Sequence, residues 1–272
     1  MRIAIQGEKG SFHHQAAKKW FHEDISILAC NSFHSTFASI ESGKADTILV
    51  AIENSIYGAI NEVHDLLELY RYPIVGEVYL RIRHQLITLP GARPSDIKQI
   101  FSHPVALAQC EVFISEHFPN AKRIEYEDTA ASVSYIQANK LIENAAIASK
   151  VAAEDHNLPI LMSDIEDNPA NFTRFLVLQP DGEPPIGANK TSLIITTNHA
   201  PGALAHALSL FARKDINLVR LQSRPIIGEA WRYRFYIDVE AAGEPLHEIL
   251  AEIRKTGALT TVLGEYVTGR TY

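Results

Sequence analysis

Cysteine is nearly missing from the sequence: Cys30 and Cys110 are its two thiols, each in an apolar stretch, neither in a Cys/His cluster at metal-ligand spacing. That argues against a disulfide-stapled scaffold and against a cysteine-ligated structural metal. Positive charge is also short. Lys and Arg number 25 against 32 Asp and Glu, a formal net charge of −7, and the cations are scattered. A nucleic-acid partner has no electrostatic footing on such a chain. No apolar stretch approaches roughly 18 residues, and no charged-then-apolar leader precedes the strand-like Met1-Arg-Ile-Ala-Ile5. Neither export nor a membrane partner is expected, and the expected location is cytoplasmic. Low-complexity tracts are missing as well. What remains is 272 residues, 46% hydrophobic and 21% charged, an ordinary globular composition with length for two domains.

The chain is organised around Asn168–Leu178, where a polar cluster, Asn171-Phe-Thr-Arg174, runs directly into the apolar Phe175-Leu-Val-Leu178. Turn residues bound it, Pro169 before and Pro180-Asp-Gly182 after, so it reads as a buried strand with polar residues at its mouth. Arg174 can grip a carboxylate bidentately, and Thr173 can donate a neutral hydrogen bond. The same residues could also simply begin an edge strand.

Upstream, Arg2–Gln6 reads as a strand ending in a Gly7…Gly10-Ser11 turn and a helix from His13 to Phe21. Asp46–Glu53 has the continuous apolar character of a parallel-sheet strand, followed by Asn54-Ser55 and a helix reaching Leu69. Capping and anion binding use the same geometry at such a helix start, so Asn54 and Ser55 fit either. Alternation at Val78, Leu80, Ile82 and Leu86 predicts one long strand over Pro73–Leu89 that could pass between two lobes. Ser102-His-Pro104 then opens a helix to about His117 with Leu107, Cys110 and Ile114 as its stripe and Gln109 off it; His103 reads as a cap. Asp128-Thr129 opens another helix. Helix starts near Ser55, Pro104 and Thr129, brought together, would form an anion site in an acidic protein.

Asp181–Ala188 is Pro/Gly-rich and reads as a linker. Beyond it the pattern is β-α-β-β-α-β, with strands at Thr191–Thr197, Ile216–Ile227, about 233–240 and Leu259–Val267. That order is a ferredoxin-like unit with two helices on one face of an antiparallel sheet. About 80 residues is small for burying such a sheet, so pairing with a second copy is expected.

Taken together, Gly7–Ala16, Glu53-Asn-Ser-Ile-Tyr-Gly58, Ser102–Cys110, Asp128-Thr-Ala130, Asn171-Phe-Thr-Arg-Phe175, Gly202-Ala-Leu-Ala205 and Gln222-Ser-Arg-Pro225 resemble prephenate dehydratase with a C-terminal ACT regulatory domain. The resemblance covers nearly the whole chain. It implies an α/β fold: a two-lobed, periplasmic-binding-protein-like catalytic region plus a ferredoxin-like βαββαβ ACT domain. The catalytic region would span 1–180, with lobe one about 1–76 and 162–180 and lobe two about 77–161. A linker at 181–189 and the ACT domain at 190–272 would follow. The implied reaction is decarboxylation and dehydration of prephenate to phenylpyruvate, toward phenylalanine, without metal or organic cofactor. Arogenate is the competing substrate.

On this resemblance Thr173 would assist departure of the ring hydroxyl, and Arg174 would orient a carboxylate. Ser11, Asn54, Ser55, Gln109 and Thr129 would supply neutral donors. L-phenylalanine would be the allosteric ligand, held by Gly202, Ala203 and Leu204 against Gln222, Ser223, Arg224 and Pro225 between two copies of a homodimer or homotetramer. Three departures keep the chemistry: Ser11 for Thr, Ala51 for Pro, Val105 for Gln. A fourth, Gln222 for Glu, removes a charge at the effector site and bears on the strength of feedback.

Overall fold

Strands and helices alternate through most of the chain, and the computed structural model describes residues 1–22 and 25–272. In order, the elements are β1 (Arg2–Gln6), α1 (Phe12–Phe21), β2 (Ser26–Cys30), α2 (Phe33–Glu41), β3 (Thr47–Asn54), β4 (Gly58–Ala59), α3 (Asn61–Tyr70) and β5 (Ile74–Arg81). Then come β6 (Gln85–Thr88), β7 (Gln99–Ser102), α4 (Pro104–Gln109), α5 (Glu111–His117), β8 (Lys122–Glu125), α6 (Thr129–Ala138), β9 (Asn144–Ala148), α7 (Lys150–His156), β10 (Ile160–Met162) and β11 (Phe172–Leu178). The last stretch is β12 (Lys190–Thr196), α8 (Ala203–Arg213), β13 (Leu218–Pro225), β14 (Tyr233–Val239), α9 (Glu244–Lys255) and β15 (Leu259–Tyr266). Among the described residues no helix is long and apolar enough to cross a membrane.

Packing divides the chain into two compact units: residues 1–60, 78–175 and 271–272, and residues 61–77 and 176–270. The first unit holds two lobes, each built on its own sheet. Lobe one has strand order β2-β1-β3-β11-β5, with the short β4 folded back on β3. Its middle strand β3 is buried from Thr47 to Ile52, as a strand with helices on both faces must be. Lobe two has order β10-β6-β9-β7-β8. Successive residues there serve opposite cores: Leu86, Ile100 and Ile147 face α4 and α5, while Ile87, Phe101 and Ala146 face α6 and α7.

The lobes touch where α1 meets α7. Ser149 caps α7 by accepting from Ala152 N at 3.0 Å, and its hydroxyl donates across to Gly10 O at 2.5 Å. Gly10 has φ +87°, and a Cβ there would lie 2.9 Å from the Ala152 Cα, so both conformation and space exclude larger residues.

In the second unit the β-α-β-β-α-β order expected from the sequence is observed, with strand order β13-β14-β12-β15. α8 and α9 bury Leu210, Phe211, Leu246, Ile249 and Ile253 against Leu193, Ile195, Ile237 and Val239. α3 belongs to this unit. The Tyr236 hydroxyl donates to His64 O at 2.9 Å, and Arg224 pairs with Asp65 at 2.6 Å. Lys190 and Glu77 form an ion pair of 2.9 Å with side chains only 4% and 0% exposed. Removing one partner of such a pair typically costs about 3–5 kcal/mol, because the other charge stays buried.

Four expectations need correction. The single strand over Pro73–Leu89 is two, β5 and β6, in different sheets; alternation persists through Ile82–His84 while the hydrogen-bonding partner changes. Ile82 N bonds Asn171 O at 2.8 Å and His84 N bonds Glu166 at 2.9 Å. The helix over Pro104–His117 breaks at Cys110 into α4 and α5, and Gln109 is buried rather than off the packed face. No helix starts at Ser55. Asn54 Oδ1 accepts from Ile56 N and Tyr57 N, Gly58 takes φ +78°, and α3 begins only at Asn61. The strand over Ile216–Ile227 is shorter, Leu218–Pro225.

Beyond Leu49, β3 outruns its pairing with β1, and the side chain of His13 takes up the orphaned amide: Ala51 N donates to His13 Nε2 at 3.1 Å. The ring packs edge-on to Phe175, 5.1 Å between centres, and burial pushes the His13 pKa down to about 3. The unfolded chain therefore binds the proton first as pH falls. Stability from this group is complete above about pH 6.5 and is lost from there toward pH 3, by at most about 1.4 kcal/mol per pH unit. His13→Gln keeps an acceptor without the titration. Urea unfolding between pH 7 and 4 is expected to show a shallower acid loss in the variant, whatever its stability at pH 7.

Candidate active site

At the end of β3 the two ends of the Asn54 amide do different work. Its Oδ1 is held by the Ile56 and Tyr57 amides at 3.0 Å each, which fixes the orientation of the group. Nδ2 is thereby aimed at the start of β11, where it donates to Asn171 Oδ1 at 2.8 Å, Thr173 Oγ1 at 3.0 Å and Phe172 O at 3.2 Å. Thr173 thus accepts from Asn54. Its own hydrogen is left to donate elsewhere.

Ser55 is differently committed. Its hydroxyl donates to Ala170 O at 3.0 Å and accepts from Phe172 N at 2.9 Å, clasping the loop that leads into β11. Its one proton is therefore spent on the main chain. Arg174 follows Thr173 on a strand and so projects from the opposite face. It is buried, with its guanidinium carbon 6.0 Å from the Tyr79 ring centre. The structure does not set the Thr173 and Arg174 side chains next to each other.

The remaining residues gather where the lobes approach. Ser11, buried, is the N-cap of α1 and accepts from His14 N at 3.3 Å. The next residue, Phe12, packs edge-on against His84, with ring centres 5.4 Å apart. His84 Nε2 meets Gln109 Oε1 at 2.7 Å, which makes Nε2 the protonated nitrogen. Burial lowers the His84 pKa, so the ring stays neutral. Thr129 is the buried first residue of α6, beside the cap Asp128, which accepts from Ala130 N at 2.7 Å. A Cβ on Gly7 would lie 2.6 Å from the Asp128 carboxylate, so the first turn of lobe one closes onto the start of α6. The stretch 165–171 joins the two groups: Asp167 N bonds Gln109 O, and Ala170 O accepts from Ser55.

Two residues outside the sequence-derived set belong here. Asn171 is fully buried and shares the Asn54 amide; His84 is 2% exposed and holds Gln109. Among the described residues Asn171 Nδ2 and His84 Nδ1 have no hydrogen-bond partner, which is costly for buried polar atoms. Both had a signal. Asn171 opens the polar cluster, and His84 falls on the inward register of Val78, Leu80, Ile82 and Leu86.

In the second unit Gly202 and Ala203 line a cavity of about 290 Å³ with Asn198, His206 and Thr256 at the start of α8. Gly202 adopts φ +79° as the N-cap. Leu204 is in the first turn of α8, whereas Gln222, Ser223, Arg224 and Pro225 lie on the edge strand β13 and do not line that cavity.

Comparison with known proteins matches residues 3–183 to the prephenate dehydratase family and residues 191–258 to the ACT domain. Arogenate dehydratase 2 of Petunia hybrida is 35% identical over 98% of this chain and 71% of its own length. Prephenate dehydratase from Arthrobacter aurescens, solved in complex with L-Phe, superposes with TM-score 0.88 at 31% identity, over 98% of this chain and 90% of that one. A structure described as GqqA, a novel type of quorum quenching acylase, superposes with TM-score 0.89 at 33% identity, over 99% and 98%. The chain belongs to the prephenate dehydratase family and carries a C-terminal ACT domain.

Proposed function

We propose that the chain converts prephenate to phenylpyruvate, and that phenylalanine bound at the ACT domain inhibits it. The reading is carried by the Asn54–Thr173 contact, which presents an oriented neutral donor at the mouth of a buried strand. In the reaction the bond to the ring carboxylate breaks, its electron pair enters the ring, and the hydroxyl departs from the far ring carbon. Carbon dioxide and, after one proton is taken up, water leave an aromatic product. Thr173 donates to the departing oxygen as charge builds there, while Asn54 holds the hydroxyl in place. Gln109, oriented by His84, together with Ser11 and Thr129, provides uncharged groups from both lobes. Ser55 and Asn171 set the loop. Arg174, buried on the opposite face of β11 from Thr173, contributes positive charge that helps orient a substrate carboxylate from a distance. Uncharged donors suit the reaction, since a cation on the departing carboxylate would stabilise the ground state and oppose its loss.

The likeness to the acylase supports a second reading, amide hydrolysis. Among the described contacts, however, Thr173 meets an amide rather than a base that would activate it as a nucleophile.

For the regulatory half, Gly202–Leu204 of one copy and Gln222–Pro225 of another would enclose phenylalanine in a homodimer or homotetramer. The exposed edge strand β13, with Val219 and Leu221 44% and 46% exposed, is the surface this pairing requires.

Incubation with prephenate should generate the ultraviolet absorbance of phenylpyruvate, with arogenate run in parallel to set the preference. Turnover of neither, alongside release of acid from an N-acyl amide, would replace this assignment with the acylase reading. Thr173→Ala is expected to lower kcat by about 10²–10³, and Thr173→Ser by much less. Asn54→Ala should fall in the same direction, and the double variant should lose little beyond Thr173→Ala, because the two side chains act as one unit. Additive losses would separate their roles. Calorimetry with phenylalanine should show binding together with reduced turnover, since an inhibitor must prefer the less active state. Full turnover at saturating phenylalanine would leave the ACT domain as an association unit.

A further inference from the structure

A cavity of about 400 Å³ lies in the first unit, lined by Gln15 and Lys19 of α1, Arg81 at the end of β5, Arg83, Gln85, Lys150 at the start of α7, Asp164 and Tyr272. None of these residues is in the set around Thr173. Gln85 follows His84, so the two side chains leave the chain on opposite faces, His84 toward Gln109 and Gln85 toward this cavity.

Among the described residues the side chains of the lining are mostly cationic: Lys19, Arg81, Arg83 and Lys150 stand beside one acidic side chain, Asp164, and the main-chain oxygen of Tyr272, in a protein whose net charge is −7. Asp164 is already engaged, by Arg83 at 2.9 Å and Gln85 at 3.0 Å. Lys150 has only an exposed i,i+4 contact with Glu154 at 3.7 Å, a weak tie that leaves it free to turn inward. Arg81 is half-buried, its Nε is inaccessible and without a hydrogen-bond partner, and its guanidinium forms no ion pair among the described residues. The position is built rather than incidental: Arg81 N donates to Tyr272 O at 2.7 Å, Tyr272 N donates to Tyr79 O at 2.8 Å, and Lys19 lies 5.4 Å from the Tyr272 ring centre. A partly desolvated guanidinium with an unused fork, ringed by further cations, suits an oxyanion that it can bind bidentately.

We propose that this cavity is a second anion site, taking a small doubly charged oxyanion, a phosphate or a dicarboxylate, between the two lobes. The volume admits such an ion with its waters. Lys19 approaches from lobe one and Lys150 from lobe two, beside the Ser149–Gly10 contact, so the anion binds best when the lobes are together. Its occupancy is therefore linked to closure of the cleft that holds Thr173.

The test uses the full chain with inorganic phosphate and, separately, succinate, at ionic strength held constant with sodium chloride. Thermal unfolding and calorimetry are read for wild type, Arg81→Met, Lys150→Met and Thr173→Ala. At least one anion should bind wild type and raise its Tm by about 2–4 °C at concentrations several times Kd. Thr173→Ala should keep this response, Lys150→Met should weaken it, and Arg81→Met should weaken affinity about tenfold or more. A response to phosphate alone assigns the phosphate class; a response to succinate alone assigns the dicarboxylate class. No binding of either anion by wild type overturns the proposal. So does binding that Thr173→Ala abolishes and Lys150→Met leaves intact, which would put the anion in the catalytic cleft. Should Arg81→Met not fold, Lys150→Met, at an exposed helix position, decides the matter by the same readout.

Discussion

Everything at the candidate active site hangs on one side-chain amide. Asn54 spends its oxygen on the turn that follows β3 and its nitrogen on the start of β11, and in doing so it settles which way the Thr173 hydroxyl can donate. An amide suits this place because it offers both hydrogen-bonding senses without bringing a charge into a half-buried site. A carboxylate there would have to be desolvated, and it would take the Thr173 hydrogen for itself. Ser55 and Asn171 then complete a short-range lattice in which two segments more than a hundred residues apart share their polar atoms.

The cleft is governed by contact between lobes as much as by the groups lining it. Gly10 accepts the Ser149 hydroxyl and leaves room for Ala152; Gly7 leaves room for Asp128. These close approaches place two helix starts, those of α1 and α6, at one opening. The histidines nearby are kept neutral by burial: His13 serves as a backbone acceptor behind β3, and His84 as the clamp on Gln109. Neutral imidazoles agree with the proposed chemistry, in which hydrogen bonds meet developing charge and no free proton donor is needed.

The regulatory unit is organised by a different economy. Its sheet covers one face with α8 and α9, and α3 supplies charged partners to β13 and β14, including Asp65 to Arg224. The Gln222–Pro225 segment, proposed for the effector, is consequently on a strand already engaged by α3. The buried Lys190–Glu77 pair ties β12 to residues 74–77, the part of β5 that belongs to this unit.

While the two-lobed fold was legible only through the family resemblance, local pattern by itself determined the βαββαβ order, the buried strand Phe175–Leu178 and the polar cluster Asn171–Arg174 that leads into it. These follow from periodicities of about two and 3.6 residues and from turn chemistry, which act between near neighbours. Local pattern also carried the residue types of the site: hydroxyls and amides at strand ends and helix starts. Tertiary structure alone decided how those groups are spent. Alternation through Ile82–His84 could not reveal that β5 and β6 join different sheets, because both strands keep the same inward register. The Ser55 proton, the partner of Gln109 and the rear-facing Arg174 depend on which distant backbone atoms come within about 3 Å, a range at which hydrogen bonds are won or lost. The Arg81 guanidinium, without an ion pair among the described residues, is of the same kind, since which groups stand beside it is settled by the fold.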